Sequence, residues 1–509
     1  MNRTRRAALG LALRYTATGL SLAVALVTVP IILRGLGPTR YGAFRVSQEY
    51  LGYLALLEFG LGGVLMVGFA RAFAARDPVE TRRLFRYGAR AYLRLGVLSA
   101  IGIVAFVAAA PWLVRIPEAA RDGVIDELRI GVLVGLISLL WVPLTPLRYL
   151  AEAEQRGYMV QIALILQAIT TAGLAVLSAV TGGGLVGQFA AVVTGNAALI
   201  GFLVWDALRR HQDARPDGGT VAGPSAPPRD RWRMFVFALC SQMTTYSDTI
   251  IVSLVLGVDS VVPFTLTQRL LLLADGQILG IGAVTWAALA ELHHRGEADR
   301  MNQRLVTLTR ATAVLGFGIL LPVAAATRAF IHLWVGPVGY GGAGLTAATF
   351  GWTCLHGLIA LWAWPLMATG HVRRVLPVML LGTLVSVTVS VLTTYWFGVM
   401  GPALGSLANY TLVAVWWLPF LLRRTFGTSV RALAGAAAGP AALAVPYAAG
   451  LFLLSVGFPV DELAVPAWAR WVVLLGAMGV AAAVYCALAW FLVLPREDRA
   501  EFRARVFGR

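Results

Sequence analysis

IILRGLGPTRYGAFRVSQEYLGYLALLEFGLGGV (31–64) and IVSLVLGVDSVVPFTLTQRLLLLADGQILGIGAV (251–284) align without a gap at a spacing of 220 residues. Nine of the 34 positions are identical: Ile31/Ile251, Leu36/Leu256, Gly37/Gly257, Phe44/Phe264, Gln48/Gln268, Leu51/Leu271, Gly60/Gly280, Gly62/Gly282 and Val64/Val284. A glutamine and three glycines are not interchangeable lipid-facing residues, so apolar composition alone explains the match poorly. The chain reads as two copies of one unit.

The residues around the repeat fix its solvent. Of 509 residues 58% are hydrophobic and 13% charged, and the mean hydropathy is +0.75. A soluble chain of this length cannot hide so much apolar surface, which excludes a soluble enzyme or binding module. The formal charge of +17 comes from 42 basic residues, all of them arginine, against 25 acidic ones. In a soluble protein such an excess points to nucleic acid, whereas in a membrane protein it can mark the loops held on the cytoplasmic side. Cys240, Cys354 and Cys486 lie in apolar runs without CxxC spacing or a histidine cluster, so neither a disulfide framework nor a metal site is expected. No cofactor motif is present either. The basic start MNRTRRAALGLALRY resembles a signal-peptide flank, but its apolar stretch carries Arg14 and continues to Leu33. It reads as an uncleaved first membrane helix.

A hydrocarbon core of about 30 Å needs roughly 20 apolar residues per helix. That ruler yields about fourteen spans, near 11–33, 42–69, 91–113, 128–150, 159–181, 185–205, 234–256, 261–285, 305–330, 343–368, 375–397, 401–421, 432–454 and 469–494. The runs are continuously apolar rather than alternating, which excludes a closed barrel. With the N-terminus inside, the inner segments hold Arg3, Arg5, Arg6, Arg71, Arg76, Arg82, Arg83, Arg86, Arg90, Arg209, Arg210 and most of the later arginines. The outer ones hold chiefly Arg34, Arg40, Arg115 and Arg121. This asymmetry places both termini in the cytoplasm and turns the large charge into a topology signal. No nucleic-acid partner is needed.

The stretch DALRRHQDARPDGGTVAGPSAPPRDRWR (206–233), rich in Pro, Gly and charge, reads as a cytoplasmic linker between an N-lobe (1–205, helices 1–6) and a C-lobe (234–421, helices 7–12). Residues 422–509 supply helices 13 and 14 and a cytoplasmic tail. Six spans separate the copies, so both enter the membrane in the same orientation. The expected fold is an all-α polytopic membrane protein, two six-helix lobes related by a pseudo-twofold axis along the membrane normal, with two further C-terminal helices. The outer loops are short (GGG at 182–184, GVDS at 257–260), leaving no room for an extramembrane catalytic domain.

The opening GLSLAVALVTVPIILRGLGPTRYGAFRVSQEYLGYLALLEFGLGG resembles the polysaccharide flippases, the Wzx-type oligosaccharide transporters, of the multidrug/oligosaccharidyl-lipid/polysaccharide exporter superfamily. There a first helix ends in a Pro and an LG-x-x-x-YG turn, and a second closes on an LG-x-G segment. Pro30, Leu36, Gly37, Tyr41, Gly42, Gly60 and Gly62 carry the match, and GVMGPALGSLANY (398–410) is similar to the Gly-rich start of a later helix in that family. The resemblance implies a central cavity between the lobes, helices 13 and 14 beside it as in lipid II flippases, and alternating access that carries a lipid-linked glycan outward.

Ionisable residues at membrane depth are costly and face a cavity or a partner. Arg14, Arg45 and Arg269 are the cavity candidates, because guanidinium offers a permanent charge and bidentate donors to a diphosphate. For Arg14 the alternative is snorkelling to headgroups; for Arg45 it is a helix-surface pair with Glu49 at i+4. Arg269, about 12 Å into its helix, snorkels less easily. Gln48 and Gln268, equivalent in the repeat, could contact sugar or bond across helices. Glu49 and Arg269 are also equivalent and oppositely charged, which suggests a state-dependent ion pair between the halves. Glu58, Asp248 and Asp275 are coupling candidates, or else satisfied packing carboxylates.

The reading that follows is a non-enzymatic flippase of the bacterial cytoplasmic (inner) membrane. It moves undecaprenyl-diphosphate-linked oligosaccharide or polysaccharide repeat units, with the bilayer as its surroundings and a polymerase or glycosyltransferase as candidate protein partners. A cation-coupled multidrug extruder of the same superfamily is the first alternative. A membrane glycosyltransferase or polymerase is the second, and the short loops oppose it.

Overall fold

The computed structural model describes the backbone of residues 3–209, 228–495 and 499; the side chains of residues 1–15, 17–18, 21–22, 228–231, 234, 281–284 and 286–287 lie outside the description. The described residues form sixteen α-helices. They are α1 (Arg3–Gly52), α2 (Leu61–Ala74), α3 (Pro78–Leu113), α4 (Arg121–Gly135), α5 (Pro146–Ala153), α6 (Gly157–Thr181), α7 (Gly184–Leu208), α8 (Pro228–Leu256), α9 (Val261–His294), α10 (Ala298–Trp334), α11 (Ala343–Ala368), α12 (Val372–Phe397), α13 (Gly401–Ala408), α14 (Val415–Phe426), α15 (Val430–Gly457) and α16 (Ala467–Leu492). Ten helical stretches among the described residues are long and apolar enough to cross a bilayer. This is a multi-span membrane protein.

All fourteen expected spans fall on helix, but three of them are assembled from pieces. The second consists of the end of α1, a 3-10 stretch (Tyr53–Glu58) and α2. Between the last two, Phe59 (φ 45°) and Gly60 (φ 72°) are left-handed, which stops the helix and restarts it at a new angle. The fourth joins α4 to α5 through a 3-10 stretch containing Pro143, and the twelfth joins α13 to α14 through a π-helical turn (Asn409–Ala414). Apolar composition cannot register such breaks, since each piece is as oily as a straight helix.

The repeat has a backbone cause. Gly37 (φ 77°) and its counterpart Gly257 (φ 97°) both take positive φ, between the first and second spans and between the seventh and eighth. An L side chain at either place would be strained by about 1–2 kcal/mol. The symmetry then fails locally, because the counterpart of the break at 53–60 is residues 273–280, inside the unbroken α9. The Gly-rich stretch 398–410 also has a packing reason. A Cβ on Gly405 would lie 2.5 Å from the Ser386 carbonyl oxygen, so only glycine lets α13 approach α12 this closely.

The chain forms two compact units, residues 1–242 with 257–259, and residues 243–256 with 260–509. In sequence terms the division falls within α8, not in the linker. Pro228–Arg233, expected as linker, already begin that helix, while 210–227 and most of the tail lie outside the described residues. In the first unit α3 is started by Asp77, whose carboxylate accepts from the Val79 and Glu80 amides, with Pro78 at the first helical position. In the second unit the two final helices have a defined seat. Ala444 of α15 and Tyr485 and Ala489 of α16 pack with Val314 and Leu321 of α10, and Tyr485 donates to the Pro440 carbonyl at 2.8 Å.

At one end of the second unit His371, in the turn between α11 and α12, meets the edge of Phe426 and lies near His293. Thr369 Oγ1 is 2.9 Å from its Nδ1. Burial first, then the charges of Arg374 and His293, hold its imidazole below the usual histidine range. The folded chain therefore binds this proton less readily than the unfolded one, and stability is complete above the ordinary histidine value and falls as pH drops through it. Lowering the pH from about 7.5 to about 5.5 is expected to lower the thermal midpoint in detergent, by less in His371→Gln. An unchanged slope in that variant would remove His371 as the cause.

Candidate functional site

In the first unit Arg45 and Glu49 lie one turn apart on α1. Arg45 Nη2 donates to Glu49 Oε1 at 2.8 Å, with Arg45 34% exposed and Glu49 buried. The pair with Glu49 at i+4 forms. It uses one of five guanidinium N–H donors. Gln48 beside it is half-buried. Arg14 lies outside the residues whose side chains are described.

Glu58 is placed by the broken helix. Ending the 3-10 stretch, it turns its carboxylate back over the first turn of α2, where Oε1 accepts from the Gly62 amide at 3.1 Å. The same oxygen accepts from the hydroxyl of Tyr149 at 2.8 Å and from that of Tyr92, and the two hydroxyls are themselves 3.4 Å apart. Three donors converging on one oxygen offset much of the cost of taking a carboxylate out of water. Of the coupling candidates, Glu58 is thus the one built into a structural clamp, tying α2 to α3 and α5.

In the second unit two carboxylates lie within electrostatic reach of one tyrosine, Tyr410. Asp248 on α8 accepts from Ser406 on α13 at 3.4 Å. Asp275 on α9, 4% exposed, has Oδ2 2.8 Å from His356 Nδ1 on α11, while its Oδ1 has no partner. Tyr410, on the π-helical turn, packs its ring 5.6 Å from that of His356 and lies within electrostatic reach of both carboxylates. Helical irregularities of this kind often coincide with functional positions. Gln268 is buried with Nε2 lacking a partner, and Arg269 next to it is half-buried. Among the described residues no group of three His, Cys, Asp or Glu could hold a metal ion.

The sequence reading missed Tyr92, Tyr149, Ser406, Tyr410 and His356. The tyrosines and the serine have no distinguishing signal, since such residues are common in membrane helices. His356 had one: it is ionisable and lies mid-helix in an apolar run, the same criterion that selected the acids.

No protein-family model and no curated protein matches the chain. Solved structures match its fold. The lipid II flippase MurJ in an inward closed conformation superposes with a TM-score of 0.63 at 12% identity, covering 95% of this chain and 98% of its own. An inward-facing multidrug resistance MATE family transporter of the MOP superfamily gives 0.62 at 16% identity, covering 85% and 99%. A MOP superfamily transporter from Pyrococcus furiosus, described by the reverse polarity of its binding pocket, gives 0.52 at 14% identity, covering 84% and 94%. The chain has the all-α polytopic fold of MOP-superfamily transporters and flippases.

Proposed function

We propose that this chain is a flippase that moves polyprenyl-diphosphate-linked oligosaccharides from the cytoplasmic to the outer leaflet of the bacterial inner membrane by alternating access, without covalent chemistry. The observation that carries the reading is Arg45, a half-exposed guanidinium within a membrane-spanning helix that holds Glu49 through one hydrogen bond. Its remaining donors suit a diphosphate. Arg269, half-buried at the position equivalent to Glu49, is the second candidate for the diphosphate. The fold of a lipid II flippase supports a lipid-linked substrate, and the arginine distribution supports cytoplasmic termini. Gln48 and Gln268 are assigned to the sugar, and Asp248 and Asp275 to cation coupling. A polymerase or glycosyltransferase is the protein partner such a substrate requires on either side of the step.

The MATE match, almost equal in TM-score, favours a second reading as a cation-coupled multidrug extruder. Deletion separates the two. A flippase deletion is expected to trap lipid-linked repeat units on the cytoplasmic leaflet with drug sensitivity unchanged; altered drug sensitivity with an unchanged glycan profile would sink the flippase reading.

A further inference from the structure

We propose that the ion coupled to transport is a proton, and that it is held in the second unit by the pair His356–Asp275. The inference rests on the transporter reading and adds the identity and place of the coupling ion.

Three observations carry it. The first is the state of Asp275, buried on α9 with one oxygen 2.8 Å from His356 Nδ1 and the other without a partner. Its apolar surroundings are Leu271, Ala274 and Ile278 of its own helix and Leu320 of α10, with Cys354 of α11 packed against them. Beside a neutral imidazole this site holds an uncompensated negative charge; with a proton on His356 the pair is neutral overall. Taking an unpaired charge out of water is costly, so the loaded and unloaded pairs differ strongly in how well they tolerate being closed off. That difference is what a coupling site requires.

The second observation is the company Asp275 keeps. The titratable groups around it are His356 and Cys354 on α11, Tyr410 on the π-helical turn and, within reach of Tyr410, Asp248 on α8. Of these groups only the imidazole of His356 can carry a positive charge to offset the carboxylate. The third is donor chemistry. A hard cation such as sodium needs several oxygen ligands, whereas the group hydrogen-bonded to Asp275 among the described residues is a ring nitrogen, that of His356. A proton needs only the nitrogen. His356 is also the more open member, 29% exposed against 5% for Asp275, so the proton arrives and leaves through the imidazole. The repeat counterpart of Asp275 is Ala55, which confines the site to one half of the chain.

The step balances simply: one proton from water binds the imidazole on one side of the membrane and returns to water on the other. The test uses the full chain in lipid vesicles on a solid-supported membrane, recording charge displacement after a pH jump or a sodium chloride jump, with no glycan present. A pH jump is expected to give a transient current in the wild type that disappears in Asp275→Asn and in His356→Gln, and a sodium jump at constant pH to give none. A transient of wild-type size in either correctly folded variant would overturn the proposal, as would a sodium transient that Asp275→Asn abolishes. Gel-filtration profile and thermal midpoint establish folding; His356→Gln, at the more open position, decides the matter if Asp275→Asn does not fold. A chain that shows the transient yet moves no lipid-linked glycan fails only the flippase reading, and one that moves glycan without the transient fails only this inference.

Discussion

Replacing Glu58 by leucine is expected to be the most damaging single change in the first unit, costing about 3–5 kcal/mol of stability. The carboxylate oxygen is the common acceptor of the Gly62 amide and the Tyr92 and Tyr149 hydroxyls, so its loss leaves the amide and at least one hydroxyl without a partner. It also releases the side chain that bonds across the break at 53–60 and ties α2 to both α3 and α5. Glu58→Gln, which keeps one acceptor oxygen, is expected to lose less. Tyr92→Phe and Tyr149→Phe are expected to cost about 1–3 kcal/mol each and to be non-additive, since they share one acceptor. Thermal unfolding in detergent reads all four. A leucine variant as stable as the wild type would show that the clamp contributes nothing.

The largest expected effect on transport comes from the arginines. Arg45→Ala and Arg269→Ala should each weaken engagement of a diphosphate by about ten- to a hundredfold, the loss of one or two charge-assisted hydrogen bonds. Export of the glycan in cells, measured at matched protein levels, should fall accordingly. Arg45→Ala carries a complication, because it leaves buried Glu49 without its partner. The double variant Arg45→Ala, Glu49→Gln removes that unpaired charge. It is expected to recover stability without recovering export, and recovery of both would reduce Arg45 to a counter-ion for its neighbour. Lysine at either position keeps the charge but not the planar fork, and should restore export only in part.

Much of the architecture was legible in the sequence because the membrane imposes it. A hydrocarbon core fixes helix length, so apolar runs of about 20 residues locate spans without any knowledge of packing. The match of Gly37 with Gly257 was legible for a backbone reason, the positive φ that both adopt. What escaped was everything that depends on irregular backbone within an apolar run. The break before α2 decides where Glu58 points, and the π-helical turn decides where Tyr410 meets His356, yet neither changes hydropathy. Glu58 is the instructive case: sequence could mark it as a costly carboxylate but not reveal that two tyrosines from separate helices would satisfy it. Asp275 was marked on the same grounds and proved different, with one oxygen left open. The distinction between a satisfied and an unsatisfied carboxylate lies in tertiary packing.

The central claim is tested most directly by reconstituting the purified chain in vesicles that contain a fluorescent undecaprenyl-diphosphate-linked oligosaccharide and measuring how much of it an impermeant glycan-oxidising reagent reaches from outside. With the wild type, the accessible fraction is expected to grow from the outer-leaflet pool to nearly the whole pool, and to stay at the outer-leaflet pool when Arg45 and Arg269 are both alanine. Wild-type vesicles that expose only the outer-leaflet pool while extruding a cationic dye would contradict the flippase reading and establish the drug extruder in its place.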